Sequence, residues 1–156
     1  MNKTNATRLL ESRKIVHEVV EYDYSEDKLD AVTVAESIGA DPENVFKTLV
    51  CRGDKTSYCV FCIPGNYELN LKKAAVASGN KKIELIKLKE LQPLTGYVHG
   101  GCSPLSMKKE FPTFIDESAI MYDTFYVSAG TRGMQLKIDP QILKNLVNAI
   151  FCDLID

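Results

Sequence analysis

Residues 46–63 read FKTLVCRGDKTSYCVFCI, and this stretch decides the fold. Two apolar runs rich in β-branched and aromatic residues, 46–51 and 57–63, flank the polar segment 52–55. Apolar runs of this length joined by a short glycine-containing turn are typical of an antiparallel hairpin. The sequence therefore predicts two paired strands here.

Outward from this hairpin, short apolar segments alternate with turn residues along the rest of the chain. Further strands are predicted at residues 15–22, 82–86, 113–115, 124–128 and 134–138. Helices are predicted at residues 5–14, 33–38, 71–78, 88–92 and 140–154, the fourth of them broken by Pro93. Because strands and helices do not alternate regularly, we expect one α+β domain, residues 1–156, around a mixed sheet.

The 156 residues carry 19 Lys and Arg against 21 Asp and Glu, a formal charge of -2. Binding along a nucleic acid backbone requires clustered cations, so a long interface with RNA or DNA is not expected. Contact with the end of one RNA strand remains compatible with this charge. No apolar run has the length of a signal-peptide core or a membrane span, so we expect a cytoplasmic protein without membrane contact.

Five cysteines include the pair Cys59 and Cys62, which has the C-x-x-C spacing of half a zinc site or of a redox pair. Both lie in the predicted strand 57–63, where residues three apart point to opposite faces. A second C-x-x-C that would complete four ligands does not occur, and the two histidines are far apart in sequence. We therefore predict reduced structural cysteines, no metal and no cofactor.

Lys47 is the first candidate for chemistry. On a strand it alternates with Phe46 and Thr48 and shares its face with Leu49 and Cys51. A lysine on an apolar face can point into a pocket and hold an anionic or ester oxygen. The alternative is an edge-strand lysine whose stem lies on the sheet while its ammonium reaches water.

The glycine-rich segment 96–104, GYVHGGCSP, is the second candidate. Glycines let the backbone approach a ligand, and free N–H groups in such a loop can surround a carbonyl oxygen or a phosphate. His99 and Cys102 also suggest a Cys–His nucleophile, which requires the two side chains to be in hydrogen-bond contact. The alternative for this segment is a purely structural turn. Arg132, in the later turn AGTRG at 129–133, could bind a phosphate, and its alternative is an exposed turn arginine without a ligand.

Four segments together resemble the YbaK/EbsC family of the prolyl-tRNA synthetase-associated editing domain superfamily. They are VFKTL at 45–49, GYVHGGCSPL at 96–105, PTFID at 112–116 and YVSAGTRG at 126–133. They follow the family's order and extend over nearly the whole chain. The resemblance implies a mixed, largely antiparallel, barrel-like sheet surrounded by short helices.

The resemblance implies a trans-editing enzyme that removes cysteine mischarged onto proline tRNA, written Cys-tRNA(Pro). Because a pocket discriminates one methylene by only about 1–3 kcal/mol, a separate hydrolytic site is the usual remedy for such mischarging. In this family the thiol of the esterified cysteine attacks its own carbonyl, while the protein orients the ester and stabilises the oxyanion. The implied partners are the acceptor end of tRNA(Pro) and, transiently, prolyl-tRNA synthetase.

The resemblance also assigns roles by position. Lys47 matches the family's essential lysine, and residues 100–104 match its G-x-x-x-P element, whose N–H groups near Gly101 and Cys102 would face the developing charge. The candidate catalytic residues are therefore Lys47, Gly100, Gly101 and Cys102. The candidate substrate-binding residues are Tyr22, Thr48, Ser103, Pro104, Arg132 and Gln135.

One of these positions departs from the family pattern. Gln135 stands where YbaK-type proteins tend to carry an acidic residue, and a neutral amide binds an α-ammonium more weakly than a carboxylate does. The stretch 29–32 also aligns loosely. Substrate choice therefore stays open between cysteine and another amino acid, chiefly alanine, and a non-catalytic adaptor that binds the aminoacyl end or a synthetase is a third alternative.

Overall fold

A computed structural model describes residues 3–156 of the chain. Its α-helices are α1 (Asn5–Ser12), α2 (Ala31–Ile38), α3 (Leu71–Ser78), α4 (Leu91–Thr95) and α5 (Pro140–Leu146). Its strands are β1 (Glu18–Glu21), β2 (Phe46–Gly53), β3 (Ser57–Pro64), β4 (Ile83–Leu85), β5 (Thr113–Asp116), β6 (Phe125–Ser128), β7 (Met134–Ile138) and β8 (Ile150–Cys152). Short 3-10 helices span Pro42–Asn44, Leu88–Glu90 and Glu117–Met121. Within the described range, no helix combines the length and the apolar character needed to cross a membrane.

The predicted hairpin, β2 and β3, forms the centre of a five-stranded sheet with the order β4-β2-β3-β5-β8. β5 and β8 add to β3 in parallel, whereas β2 pairs with both of its neighbours antiparallel. β1, β7 and β6 form a second, antiparallel sheet. A bridge between Val45 and Tyr126 joins the two sheets. The predicted α+β class with mixed, largely antiparallel strands is confirmed, although the strands are divided between two sheets.

Side-chain caps determine where the helices begin. The side chain of Asn70 accepts a hydrogen bond from the N–H of Lys73 at 3.0 Å, and Gly79 ends α3 with a φ of 75°, so the predicted helix 71–78 is confirmed. α2 is longer than predicted, because Asp30 caps it and the helix already begins at Ala31. This earlier start matters below, because it places Asp30 beside the candidate site.

Apolar side chains are buried on both faces of β3. Val60 and Cys62 belong to the main core, which the two sheets share. Cys59 and Phe61 pack on the opposite face, together with residues of α3. Cys59 and Cys62 therefore point away from each other, as the period of a strand requires, and do not form one metal or redox site.

The prediction of one helix over residues 140–154 is wrong. α5 ends at Leu146, Asn148 adopts a φ of 53°, and residues 150–152 form β8, which pairs in parallel with β5. The N–H of Leu154 then donates to the side chain of Asp116 at 2.9 Å. Apolar residues at helical spacing could not reveal this, because the open edge of β5 offers the backbone alternative hydrogen bonds.

The predicted helix 88–92, broken by Pro93, also differs from the structure. A 3-10 turn over Leu88–Glu90 leads directly into α4, which continues through Pro93 to Thr95. Pro93 is tolerated because it lies in the first turn of α4, where a backbone N–H has no helical acceptor to lose. α4 then lies beside the glycine-rich segment that follows it.

Candidate functional site

A small cavity of about 170 Å³ lies where β2, the start of α2, α4 and the glycine-rich segment meet. Half of the candidate site residues converge on it, although they come from three distant parts of the chain. Those that line the cavity are Lys47, Thr48, Gly100, Cys102 and Gln135. The fold therefore brings half of the candidate residues together around one cavity.

Lys47 lines the cavity from the part of β2 that lies beyond β4, where it pairs with Ile63 of β3. Its strand neighbours Leu49 and Cys51 pack in the α3-side cluster, which confirms the predicted face. Its Nζ donates a hydrogen bond to the carbonyl oxygen of Gly65 at 3.3 Å, and it forms no ion pair within residues 3–156. One neutral acceptor leaves most of the ammonium's hydrogen-bonding capacity for another group.

Gly65, whose carbonyl accepts from Lys47, lies where the end of β3 packs closely against the start of α2. A Cβ at this position would lie 2.5 Å from the Cβ of Ala31 and 2.8 Å from the carbonyl oxygen of Val45. Only glycine therefore allows the end of β3 to touch the start of α2. The carbonyl that holds Lys47 is thus fixed by two other elements of the fold.

The glycine-rich segment turns sharply above Lys47. The N–H of Gly101 donates to the carbonyl of Val98 at 2.9 Å, so this N–H is already used within the turn and does not face a ligand as expected. The N–H of Cys102 has no such partner within residues 3–156. Of the two N–H groups expected to stabilise an oxyanion, only that of Cys102 is free to do so.

Gly100 closes the cavity against the acidic loop before α2. Its φ is +85°, and a Cβ there would lie 3.1 Å from the side chain of Leu29. The backbone conformation therefore favours glycine, and the contact leaves little room for a side chain. Leu29 consequently forms part of the cavity wall, which sequence reasoning did not identify.

The environment of the Cys102 side chain disfavours a nucleophilic thiolate. Burial raises the pKa of the Cys102 thiol to about 12, and burial raises the pKa of the Cys62 thiol to about 12 as well. At neutral pH both groups are thiols, and it is the thiolate that attacks carbonyl carbon. Cys102 contributes its backbone and its shape to the cavity.

Gln135 presents an unusual buried amide to the cavity. It lies on the central strand of the small sheet and is only 5% exposed. Its Oε1 is buried without a hydrogen-bond partner among residues 3–156. Leaving such an acceptor unpaired costs about 1–3 kcal/mol. Two other buried polar atoms, Oδ1 of Asn44 and Oγ of Ser118, are also unpaired among the described residues, but only Gln135 lines the cavity.

The other five candidate residues lie outside the cavity. Tyr22 and Arg132 line a separate surface groove formed by residues 21–24 and 131–134, here called the Arg132 groove. Arg132 is engaged internally, since its Nε donates to the carbonyl of His99 at 2.8 Å and its guanidinium lies 3.8 Å from Glu26. It holds the glycine-rich segment in place rather than pointing at the cavity.

The remaining three candidates belong to the same segment but face the protein interior or another surface. Gly101 is buried, and a Cβ there would lie 3.1 Å from the backbone of Thr131. Ser103 is fully buried, and its hydroxyl accepts a hydrogen bond from the N–H of Leu105 at 3.2 Å. Pro104 lines a different surface groove beside α1. These positions support the shape of the segment.

Sequence reasoning missed several cavity residues, and the most informative of them is Asp30. Its carboxylate accepts hydrogen bonds from the N–H and the hydroxyl of Thr33, at 3.1 and 2.8 Å. These bonds, the hydroxyl first, lower the pKa of Asp30, so the group is ionised at neutral pH. The Asp-x-x-Thr pattern before an apolar run is an N-cap signal that could have found it. The other cavity residues that were not candidates are Leu29, Ala31, Val34, Val45, Phe46, Leu49, Leu91 and Ser128, and His99 was singled out only as a base for Cys102.

The cavity therefore combines one cation, one free backbone N–H and several acceptors around a volume suited to a small group. Lys47 and the Cys102 N–H can stabilise negative charge on a carbonyl oxygen. Asp30 and the Gln135 amide can accept hydrogen bonds from an ammonium group. This set fits an aminoacyl ester, which has a polarised carbonyl at one end and an ammonium at the other.

Comparisons with known proteins agree with this chemistry. A family model described as an aminoacyl-tRNA editing domain matches residues 25–146. A protein of Enterococcus faecalis, EbsC, is 50% identical over 97% of this chain and 93% of its own length, and is named as a candidate Cys-tRNA(Pro)/Cys-tRNA(Cys) deacylase.

Two solved structures share the fold. One, described as a candidate trans-editing enzyme for prolyl-tRNA synthetase, is 27% identical, covers 100% of this chain and 99% of its own, and has a TM-score of 0.85. The other, hypothetical protein APE2540, is 19% identical, covers 96% of this chain and 97% of its own with a TM-score of 0.86, and shows the fold alone. The chain therefore belongs to the family of aminoacyl-tRNA editing domains.

Proposed function

We propose that the protein is an aminoacyl-tRNA deacylase that hydrolyses Cys-tRNA(Pro). The observation that carries the proposal is the convergence of Lys47, the Cys102 N–H and the unpaired Gln135 amide on one cavity of about 170 Å³. The similarity to EbsC, named for cysteine-charged tRNA substrates, supports the choice of amino acid. Residues 1–156 would then act as one editing domain in the cytoplasm.

In the proposed reaction the substrate supplies its own nucleophile. The sulfur of the esterified cysteine attacks the carbonyl carbon, the bond from that carbon to the ribose oxygen breaks, and the thiol proton passes to the ribose oxygen. Water then opens the resulting cyclic thioester to release cysteine. The raised pKa of Cys102 favours this route, because the protein's own cavity thiol is not available as a thiolate.

The protein's part in this scheme is to orient and to stabilise charge. Lys47 and the N–H of Cys102 hold the carbonyl oxygen as it becomes negative. Asp30 and Gln135 receive the α-ammonium, so the carboxylate that the family carries at position 135 is replaced by one from the start of α2. Holding the thiol close to the carbonyl supplies the orientation that a free ester lacks.

Recognition of the tRNA body is delegated to a partner in this proposal. The chain has a net charge of -2, which provides no surplus of cations for a long RNA contact. One of the structurally similar proteins is described as a candidate trans-editing enzyme for prolyl-tRNA synthetase. Transient association of this chain with that synthetase would supply the recognition of the tRNA. The deacylase itself then needs to bind only the acceptor end.

The test is release of amino acid from proline tRNA charged separately with cysteine, serine, alanine and proline. We expect cysteine to be released at least about 100-fold faster than serine, because a hydroxyl is a far weaker nucleophile than a thiol near neutral pH. Equal rates for cysteine and serine would exclude the substrate-thiol route and favour a positioned water. Preferential release of alanine would reassign the substrate, and retention of all four amino acids would favour the adaptor alternative.

A further inference from the structure

The candidate cavity is too small for more than the amino acid. A cavity of about 150 Å³ accepts a benzene-sized group, and pockets for larger ligands are typically about 300–1,000 Å³. With about 170 Å³ available, an aminoacyl group fits and a nucleotide does not. If the proposed function holds, the terminal nucleotide of the RNA must lie on the surface next to the cavity.

A surface groove beside α2 shares one lining residue, Val34, with the cavity. Another surface groove adjoins the cavity through two shared lining residues. It lies along α4 and the 3-10 turn before it, has a volume of about 450 Å³, and is called here the α4 groove. Leu91 and His99 line both this groove and the cavity. The Arg132 groove is of similar size, about 540 Å³, but shares no lining residue with the cavity. A ligand that leaves the cavity past Leu91 and His99 enters the α4 groove.

The charges beside the two grooves also differ. The segment next to the Arg132 groove, residues 21–30, reads EYDYSEDKLD, in which Lys28 is the single cation among several carboxylates. Beside the α4 groove, Lys87 and Lys89 are exposed, and the carboxylate of Glu90 is paired with Arg52. Arg132 lines the first groove, but its guanidinium lies 3.8 Å from the carboxylate of Glu26. The lysines beside the α4 groove therefore favour RNA phosphates more than the surface of the Arg132 groove does.

The α4 groove also offers surfaces on which a nucleobase can lie. His99 is exposed, and its backbone is held by the hydrogen bond from Arg132 to its carbonyl at 2.8 Å. Val98 and Leu88 expose 40% and 68% of their surface there. Single-stranded RNA ends are bound by stacking of unpaired bases on aromatic rings, histidine included, next to cations that hold the backbone.

We propose that the α4 groove binds the 3′-terminal nucleotide of the RNA, with its base against His99 and Val98 and its phosphate near Lys89. This inference rests on the proposed function for the identity of the ligand. It places the RNA on the basic side of the cavity, away from the acidic loop at residues 21–30. It also gives the glycine-rich segment a second role, since Gly100 and Cys102 face the ester while His99 faces the nucleotide.

The experiment measures binding of an uncharged RNA hairpin with a single-stranded CCA end, and of the same hairpin lacking the terminal adenosine, by fluorescence anisotropy. Wild-type protein should lose about tenfold in affinity when the adenosine is removed, the size expected for one stacked base. His99→Ala should bind both hairpins with the same reduced affinity. Lys89→Glu should weaken binding of both about tenfold and lower the salt dependence, as loss of a phosphate contact does.

Lys28→Glu is the matched control, because it makes the same charge change on an exposed lysine of the acidic loop. It should bind both hairpins like the wild type. Equal effects of Lys28→Glu and Lys89→Glu, or an unchanged preference for the adenosine in His99→Ala, would overturn the assignment of the groove. Absence of binding to either hairpin by the wild type would overturn it as well. Because the RNA is uncharged, these results do not depend on whether the protein hydrolyses an ester.

Discussion

The two ends of strand β2 carry cations with opposite bonding: Arg52 is paired, whereas Lys47, among the described residues, is not. At the hairpin end, Arg52 bonds to Tyr58 at 3.2 Å and pairs with Glu90. At the cavity end, Lys47 has one carbonyl acceptor at 3.3 Å and no carboxylate partner within residues 3–156. One strand therefore carries a cation used by the fold and a cation left for a ligand.

Two buried side-chain amides repeat the contrast. Asn80, beside the hairpin, is 8% exposed and makes four hydrogen bonds of 2.8–3.1 Å with both amide atoms. Gln135, in the cavity, is 5% exposed, and its Oε1 has no partner among the described residues. The amide beside the hairpin is thus fully used by the fold, whereas the amide on β7 keeps an acceptor that a ligand could use.

The largest effect should come from replacing Lys47 by methionine, an uncharged side chain of similar length. The same replacement of Arg52 is the matched control. Lys47→Met should lower kcat/KM for Cys-tRNA(Pro) by at least about 100-fold, because it removes a charge that stabilises the oxyanion. Arg52→Met should retain the wild-type rate and lose a little thermal stability. Kinetics and thermal unfolding of both variants measure this, and a normal rate for Lys47→Met would refute the catalytic assignment.

A pair of glycines offers a second, smaller contrast. Gly100 and Gly96 have φ values of +85° and +82°, so alanine strains either backbone by about 1–2 kcal/mol. Only at Gly100 would the added methyl also meet Leu29, at 3.1 Å, inside the cavity wall. Gly100→Ala should lower kcat/KM about tenfold or more, whereas Gly96→Ala should lose only stability.

Adding Leu29→Ala to Gly100→Ala removes the contacts with the two methyl groups of Leu29, at 3.1 and 3.3 Å, and leaves the contact with its Cβ and the backbone strain in place. Recovery of part of the activity in this double variant, with unchanged thermal unfolding relative to Gly100→Ala, would show that cavity shape controls the reaction. Equal losses of activity in Gly96→Ala and Gly100→Ala would show that strain in the segment, not the contact, is responsible.

The smallest effects are expected for the stability of the protein when the buried amides of Asn80 and Gln135 are replaced. Asn80→Ala should lower the free energy of unfolding by about 2–4 kcal/mol, because two backbone donors lose their acceptor. Gln135→Met should leave it unchanged or raise it by up to about 1 kcal/mol, because an unpaired buried acceptor is removed. Denaturant titration measures both changes.

Measurements of activity should rank the two amide variants in the opposite order to measurements of stability. Gln135→Met should raise KM for the charged tRNA, since a group that receives the α-ammonium is lost, while folded Asn80→Ala should keep the wild-type KM. A Gln135→Met protein that is destabilised like Asn80→Ala and hydrolyses normally would show that Gln135 serves the fold.

Much of the architecture followed from local patterns. The hairpin, α3 between Asn70 and Gly79, and β7 were predicted close to their observed bounds. Each is specified by its own residues, through alternation of apolar side chains, an N-cap or a terminating glycine. β8 was missed because its strand character depends on pairing with β5, whose residues lie more than thirty positions earlier in the chain.

The same distinction applies to the site. Sequence motifs alone identified Lys47, Gly100 and Cys102 as residues of interest, because a lysine on an apolar strand and a run of glycines are unusual locally. They could not show that Arg132 bonds to the carbonyl of His99 rather than facing the cavity. Nor could they show that Asp30 lines the cavity, since that depends on how α2 packs against Gly65.

The sequence by itself determined the class of the fold, the family and the residues able to carry the chemistry, because these depend on residue type, period and order along the chain. Only the tertiary structure decided which of those residues meet, which polar groups are already satisfied and where the cavity opens. The physical reason is that hydrogen bonds and packing between distant segments consume some donors and acceptors and spare others. Those that are spared include groups on Lys47, Cys102 and Gln135, which line the candidate cavity.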